Sequence, residues 1–221
     1  MIDTKQYYHL SRKFEKILKE DKHNKGDGYL VRSLYFDTLD DADFMEKIDG
    51  TDVRKKIRLR NYGPNSDFAQ LEMKQKQGEL QKKRAVSINK HDATLLTRGA
   101  YSPLLNYHSK FAMECFSLMN MQFYRPKCVV TYKRKAFVTH ENEIRITFDQ
   151  NIQATESNFN IFDSKLIENN VFDPDLVVME VKFNGFLLSY IKDIINEINS
   201  TEIAISKYCM GRTIDKNYLF L

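Results

Sequence analysis

Lys55-Lys56-Ile57-Arg58-Leu59-Arg60 alternates basic and aliphatic residues, and Leu71-Glu72-Met73-Lys74-Gln75-Lys76 repeats the pattern with a glutamate included. Alternation at period two gives a strand one apolar face and one charged face. Glu143-Ile144-Arg145-Ile146-Thr147 and Met179-Glu180-Val181-Lys182-Phe183 have the same design. Such strands are either amphipathic members of a sheet with a solvated outer side, or strands whose charged faces point together around a ligand. Lys56, Arg58 and Arg60 form a row of cations that repel one another, whereas a plain surface design intersperses acids. Lys82 and Arg84 share a face of the next expected strand. Paired as hairpins, the three neighbours would lay their charged faces side by side, as a field of cations with one glutamate.

Outward from this centre, strands are expected at about 53–61, 68–76 and 81–88. Gly63-Pro64-Asn65 and Gly78 supply the hairpin links. Upstream, Leu10, Phe14, Ile17 and Leu18 recur at helical spacing, so the chain reads as helical to about Lys22. Residues 29–37 (YLVRSLYFD) read as a strand, and 38–50 as a short helix or irregular excursion. Downstream, Ser102-Pro103 opens a helix, with Ser as cap and Pro at its first position. That helix presents Leu104, Tyr107, Phe111, Cys115, Leu118 and Met119 and ends before Arg125-Pro126. Strands are expected again at 127–138, 143–149 and 176–183, with an irregular stretch at 151–175. A last helix is expected at about 187–199, and a short strand or turn at 204–208. Hairpins with a few inserted helices mean an α+β chain built on an antiparallel sheet or barrel.

The 221 residues suit one domain, 1–221, with a substantial core. With 42% hydrophobic residues, 15 Phe and 12 Tyr, disorder is excluded as a description. The net charge of +4 is too small for a nucleic-acid coat, so basic function has to come from local clustering and no nucleic-acid partner is expected. Cys115, Cys128 and Cys209 are far apart and have no metal-ligand spacing, so they read as reduced thiols of a cytoplasmic protein. The five histidines (His9, His23, His91, His108 and His140) are scattered through polar stretches. No apolar run reaches the roughly 18–20 residues of a membrane span, so a membrane partner is the expected route to any membrane. No phosphate-cradling P-loop or dinucleotide fingerprint is present, and no nucleophile elbow surrounds a Ser or Cys. Many cations with few carboxylates suit a polyanion, and Glu72, Glu143 and Glu180 suit a divalent metal that bridges phosphate oxygens.

The ordered set Arg32-Ser-Leu-Tyr-Phe-Asp37, Lys56-Ile-Arg-Leu-Arg60, Leu71-Glu-Met-Lys74, Arg134 in a Tyr-x-Arg-x-Ala-Phe strand, Glu143-Ile-Arg-Ile-Thr-Phe-Asp149, Val178-Met-Glu-Val-Lys-Phe183 and Ile205-Ser-Lys-Tyr208 resembles the VTC domain. This is the catalytic domain of the vacuolar transporter chaperone polyphosphate polymerase, within the triphosphate tunnel metalloenzymes, and the resemblance spans about residues 6–210. It implies an antiparallel β-barrel tunnel with a few flanking helices, lined by basic residues. It implies Arg58, Arg60, Lys74, Arg134, Arg145, Lys182 and Lys207 as phosphate-contacting catalytic residues, with Lys56, Lys82, Arg84 and Arg32 assisting substrate binding. Glu180 would hold Mn²⁺ or Mg²⁺, and the substrates would be ATP and inorganic polyphosphate. Tripolyphosphate hydrolysis and polyphosphate or nucleotide binding without turnover are the alternatives. Family members begin with a strand carrying an acidic-x-Lys pattern, whereas Met1 here stands almost at the helix that follows it. The expected barrel therefore lacks its first strand, which bears directly on catalysis.

Overall fold

The computed structural model describes residues 1–198 and 203–214. In chain order these form β1 (Ile2–Asp3), α1 (Thr4–Ile17), β2 (Lys19–Glu20), β3 (Tyr29–Asp37), α2 (Ala42–Ile48), β4 (Val53–Asn61), β5 (Phe68–Gln77), β6 (Leu80–Asn89) and α3 (Lys90–Leu96). A 3₁₀ segment (Ser102–Asn106), α4 (Lys110–Met121), β7 (Arg125–Val138), a 3₁₀ turn (Glu141–Glu143), β8 (Arg145–Thr155), β9 (Asn169–Asn170), β10 (Leu176–Lys182), α5 (Ser189–Asn196) and α6 (Lys207–Arg212) follow. The strand order is β1-β10-β8-β7-β3-β4-β5-β6, with β2 on β7 and β9 on β8. The chain divides into two compact units.

The first unit takes Met1–Leu30, Tyr132–Ile152 and Phe172–Ile205. Its helix α1 starts at a capping box. The Asp3 carboxylate accepts from the Gln6 amide at 2.7 Å, and the Gln6 side chain accepts from the Asp3 amide at 2.9 Å. Tyr7, Leu10 and Phe14 are buried with Phe137, Ile146 and Phe148, and Ile191 of α5 joins them. The helix ends at Ile17, short of the expected Lys22, because Leu18 turns extended and is buried instead. Here β10 pairs antiparallel with β8, placing Glu180 opposite Thr147 and Lys182 opposite Arg145. Where no first strand was expected, a two-residue β1 is present, with Ile2 and Asp3 opposite Val177 and Leu176.

The second unit takes Val31–Thr131, Gln153–Val171 and the segment from Ser206. Strands β3 to β6 pair antiparallel in sequence, with bounds within one or two residues of those expected. The β5–β6 link turns at Gly78 (φ +56°), a left-handed backbone that glycine adopts without penalty. Leu34, Phe36, Ile57, Leu59, Leu71 and Met73 are fully buried with Leu96, Leu104, Cys115 and Met119 from the helical side. Each such side chain contributes about 1.5–3 kcal/mol of burial, which fixes the parity of every strand.

Three local expectations are corrected. The helix opened by Ser102-Pro103 is two elements: the 3₁₀ segment stops at Asn106, and Ser109 caps α4 afresh by accepting from the Ala112 amide. Between them Tyr107 is held by its hydroxyl, which donates to Asp92 at 2.9 Å and accepts from the Asn89 amide at 3.0 Å. The expected strand or turn at 204–208 becomes α6, capped by Ser206. The last helix begins at Ser189, two residues later than expected, and residue 199, where it was expected to end, lies outside the described residues. α3 was not foreseen, although Asn89 accepting from the Asp92 amide is an ordinary N-cap.

Candidate functional site

In the second unit, strand register decides which charges share a face. Lys56 lies opposite Lys74, Arg58 opposite Glu72 and Arg60 opposite Gln70. β6 then sets Lys83 opposite Lys74 and Ala85 opposite Glu72. From β3, Ser33 and Tyr35 pair with Arg60 and Arg58. The polar face therefore carries Lys56, Arg58, Arg60, Lys74 and Lys83 around Glu72.

Glu72 is the organising acid. It accepts from Arg58 Nε at 2.6 Å and pairs with Lys83 Nζ at 2.5 Å. Burial pushes its carboxyl up, but Arg58, Arg60 and Lys83 outweigh that and bring it down to about 2. The expectation that Glu72 binds metal meets a carboxylate already held by two cations. Arg60 is buried and donates to Ser33 Oγ at 3.1 Å. Lys56 donates to Ser206 Oγ at 3.0 Å, with its ammonium 5.7 Å from the ring centres of both Tyr35 and Tyr208. Burial holds that ammonium below the ordinary lysine range. Burial pushes the Tyr35 phenol up, yet Arg58, Lys56 and Arg60 together pull it below its ordinary value. The Tyr208 hydroxyl donates to Asp37 at 2.6 Å, and Asp37 also accepts the amides of Thr38, Asp43 and Phe44 at 2.8–2.9 Å. Arg212 forks onto Asp41 at 2.9 and 2.7 Å, so α6 is fixed at both ends. Lys207 is half-buried at the start of α6, next to Ser206, and Lys74 is exposed.

The structure places three residues expected to assist substrate binding away from Glu72. Lys82 and Arg84 fall opposite Gln75 and Met73, on the other face from Glu72. Arg84 forks onto Glu114, donates to Gln75 at 2.8 Å and lies over the Phe111 ring. Lys83, which the sequence reading passed over, takes the place by Glu72. Arg32 points to the opposite face from Tyr35. It donates to Thr131 Oγ1 at 3.1 Å and to the carbonyls of Ile161 and Asp163 at 3.1 and 2.6 Å. It is a buried clamp on the 156–168 segment.

In the first unit, the face of β8 and β10 carries Arg145, Thr147, Asp149, Glu180 and Lys182. Arg134 from β7 forks onto Asp149 at 2.6 and 2.7 Å and sits over Tyr132. Burial alone lowers the Arg134 pKa, but Asp149 more than reverses it. Gly28 packs against the backbone of this strand: a Cβ there would stand 2.3 Å from the Arg134 carbonyl oxygen. Arg145 reaches Asp21 at 2.9 Å and the Tyr29 hydroxyl at 3.2 Å. Glu180 and Lys182 form an exposed pair at 3.2 Å. Glu143 leaves the expected strand altogether, since it sits exposed in the 3₁₀ turn at φ +48°.

Among the described residues no group of three or more His, Cys, Asp or Glu gathers as a protein-only metal cage. Glu180, half exposed beside one lysine, would offer a single open carboxylate to a divalent cation. The three cysteines are free and buried, and burial pushes the Cys115 thiol up to about 12. No helix among the described residues is long and apolar enough to cross a membrane.

The VTC domain family matches residues 1–214, and the chain belongs to that family. The chain is similar in structure to a candidate adenylate cyclase from Bacillus halodurans at 12% identity and a TM-score of 0.51, covering 89% of this chain and 83% of that one. A candidate adenylate cyclase from Vibrio parahaemolyticus (14% identity, TM-score 0.36, 67% and 63% covered) and the PH1819 protein of Pyrococcus horikoshii (11%, 0.38, 86% and 80%) are more distant. A search of curated proteins finds no match.

Proposed function

We propose that this VTC-domain protein is a polyphosphate polymerase-like phosphotransferase. A terminal oxygen of a phosphate chain attacks the γ-phosphorus of ATP, the bond to the β-phosphate oxygen breaks, and ADP leaves. The observation that carries this reading is the face of the second unit: five cations, Lys56, Arg58, Arg60, Lys74 and Lys83, held around one acid. Phosphoryl transfer asks little covalent chemistry of a protein, so positioning and charge stabilisation suffice. Arg58, aimed by Glu72, offers its guanidinium edge to phosphate oxygens, while Lys56, Lys74 and Lys83 act as point charges. Arg60 is steadied by Ser33. Lys207 stands beside Ser206, the residue that positions Lys56. In the first unit, Arg134, Arg145 and Lys182 neutralise phosphate oxygens, each from an ion pair that sets its direction. Glu180 would hold a divalent cation, Mn²⁺ or Mg²⁺, whose charge would offset that of the phosphates.

The purified chain incubated with ATP and Mn²⁺ is expected to yield ADP and acid-stable polymeric phosphate. Orthophosphate without chains would instead identify a tripolyphosphatase. Binding without turnover is the second reading, and the first unit favours it, because Arg134, Arg145 and Lys182 are each already paired with an acid. Polyphosphate retention with neither ADP nor orthophosphate formed would establish it. A chain that neither retains polyphosphate nor consumes ATP would overturn both.

A further inference from the structure

Thr147 stands at the centre of the β8–β10 polar face. Arg145 and Asp149 are its same-face neighbours along β8, and Glu180 is its cross-strand partner. The residue is 3% exposed, and its Oγ1 finds no hydrogen-bond partner among the described residues. A buried hydroxyl without a partner is destabilising, and valine has nearly the same shape without that penalty. The neighbours do not supply a bond because each is engaged elsewhere. Asp149 receives the Arg134 fork, Arg145 turns to Asp21 and Tyr29, and Glu180 pairs with Lys182.

We infer that Thr147 is a phosphate-binding residue, its hydroxyl donating to an oxygen of the phosphate ligand when Lys182 is drawn from Glu180 onto that ligand. The Glu180–Lys182 pair is 43% and 62% exposed, and pairs of that kind cost little to open. Opening it clears the residue directly across the ladder from Thr147. A hydroxyl suits the task because it donates to an anion without adding charge to a face that already carries Arg134, Arg145 and Lys182. The inference rests on the phosphate-binding reading above and adds a contact to it.

The test is titration of metal-free tripolyphosphate into the wild-type chain, Thr147→Val and Thr147→Ser, with thermal unfolding of each without ligand. Expected are a roughly ten-fold weaker affinity for Thr147→Val, near wild-type affinity for Thr147→Ser, and a Thr147→Val midpoint equal to or above wild type. Equal affinity of Thr147→Val and wild type would overturn the inference and leave the phosphate reading intact. A lower unfolding midpoint for Thr147→Val would also overturn it, since the hydroxyl would then be satisfied within the protein. If the wild type does not bind tripolyphosphate, both fall together.

Discussion

The two polar faces use the same residue types to different ends. In the first unit the basic residues of the face are matched with acids: Arg134 with Asp149, Arg145 with Asp21 and Lys182 with Glu180. In the second unit Arg58 and Lys83 share Glu72, and Lys56, Arg60 and Lys74 stand on the same face. Matched pairs set geometry, whereas cations gathered around one acid concentrate positive charge on a face. The first face reads as built for direction and the second for attraction.

Removing an acid therefore ought to cost stability in both units, and most where the acid is the partner of a buried cation. Asp149→Ala strands a buried guanidinium, and the expected cost is about 3–5 kcal/mol of stability, read as a large drop in the urea midpoint. A small drop would mean that Arg134 finds other partners and that the two faces differ less than their pairing suggests.

Acid titration sharpens the same contrast more gently. Glu72 is held down to about 2, below the ordinary glutamate value, so its contribution is complete above that ordinary value and is lost as pH falls through the folded one. Between about pH 5 and pH 2 the wild type is expected to lose on the order of 2 kcal/mol more stability than Glu72→Gln. Parallel stability curves for the two chains would show that Glu72 is not the acid that organises this face.

The smallest expected effect concerns parity. Lys83→Gln is expected to weaken tripolyphosphate binding about three-fold through loss of one exposed charge, while Lys82→Gln leaves it unchanged. The reverse result would put the charged face on the other parity of β6.

How much of this was legible follows from what periodicity can encode. β4 and β5 were readable almost to the residue because Ile57, Leu59, Leu71 and Met73 are buried at every second position. β6 was readable as a strand but not as a face. Lys82, Lys83 and Arg84 are consecutive, and only the pairing of Gln77 with Leu80 across the turn tells which of them meets Glu72. Arg32 failed for a related reason, since β3 is buried on both sides from Val31 to Asp37 and has no alternation to read. Glu143 continued the β8 pattern on paper, but the left-handed backbone at Asn142 and Glu143 starts the strand two residues later. The caging of Lys56 joins it to Ser206, 150 positions away, and to Tyr208 just beyond, which no local pattern carries.

The central claim is that the β4–β6 face holds a phosphate chain, and tripolyphosphate titration of wild type and Arg58→Ala at two ionic strengths tests it most directly. The account predicts wild-type affinity that falls as salt rises, and a loss of at least about ten-fold in Arg58→Ala at the lower salt, both chains being titrated below their unfolding transitions. Equal affinity of the two chains, or binding indifferent to salt, would contradict it.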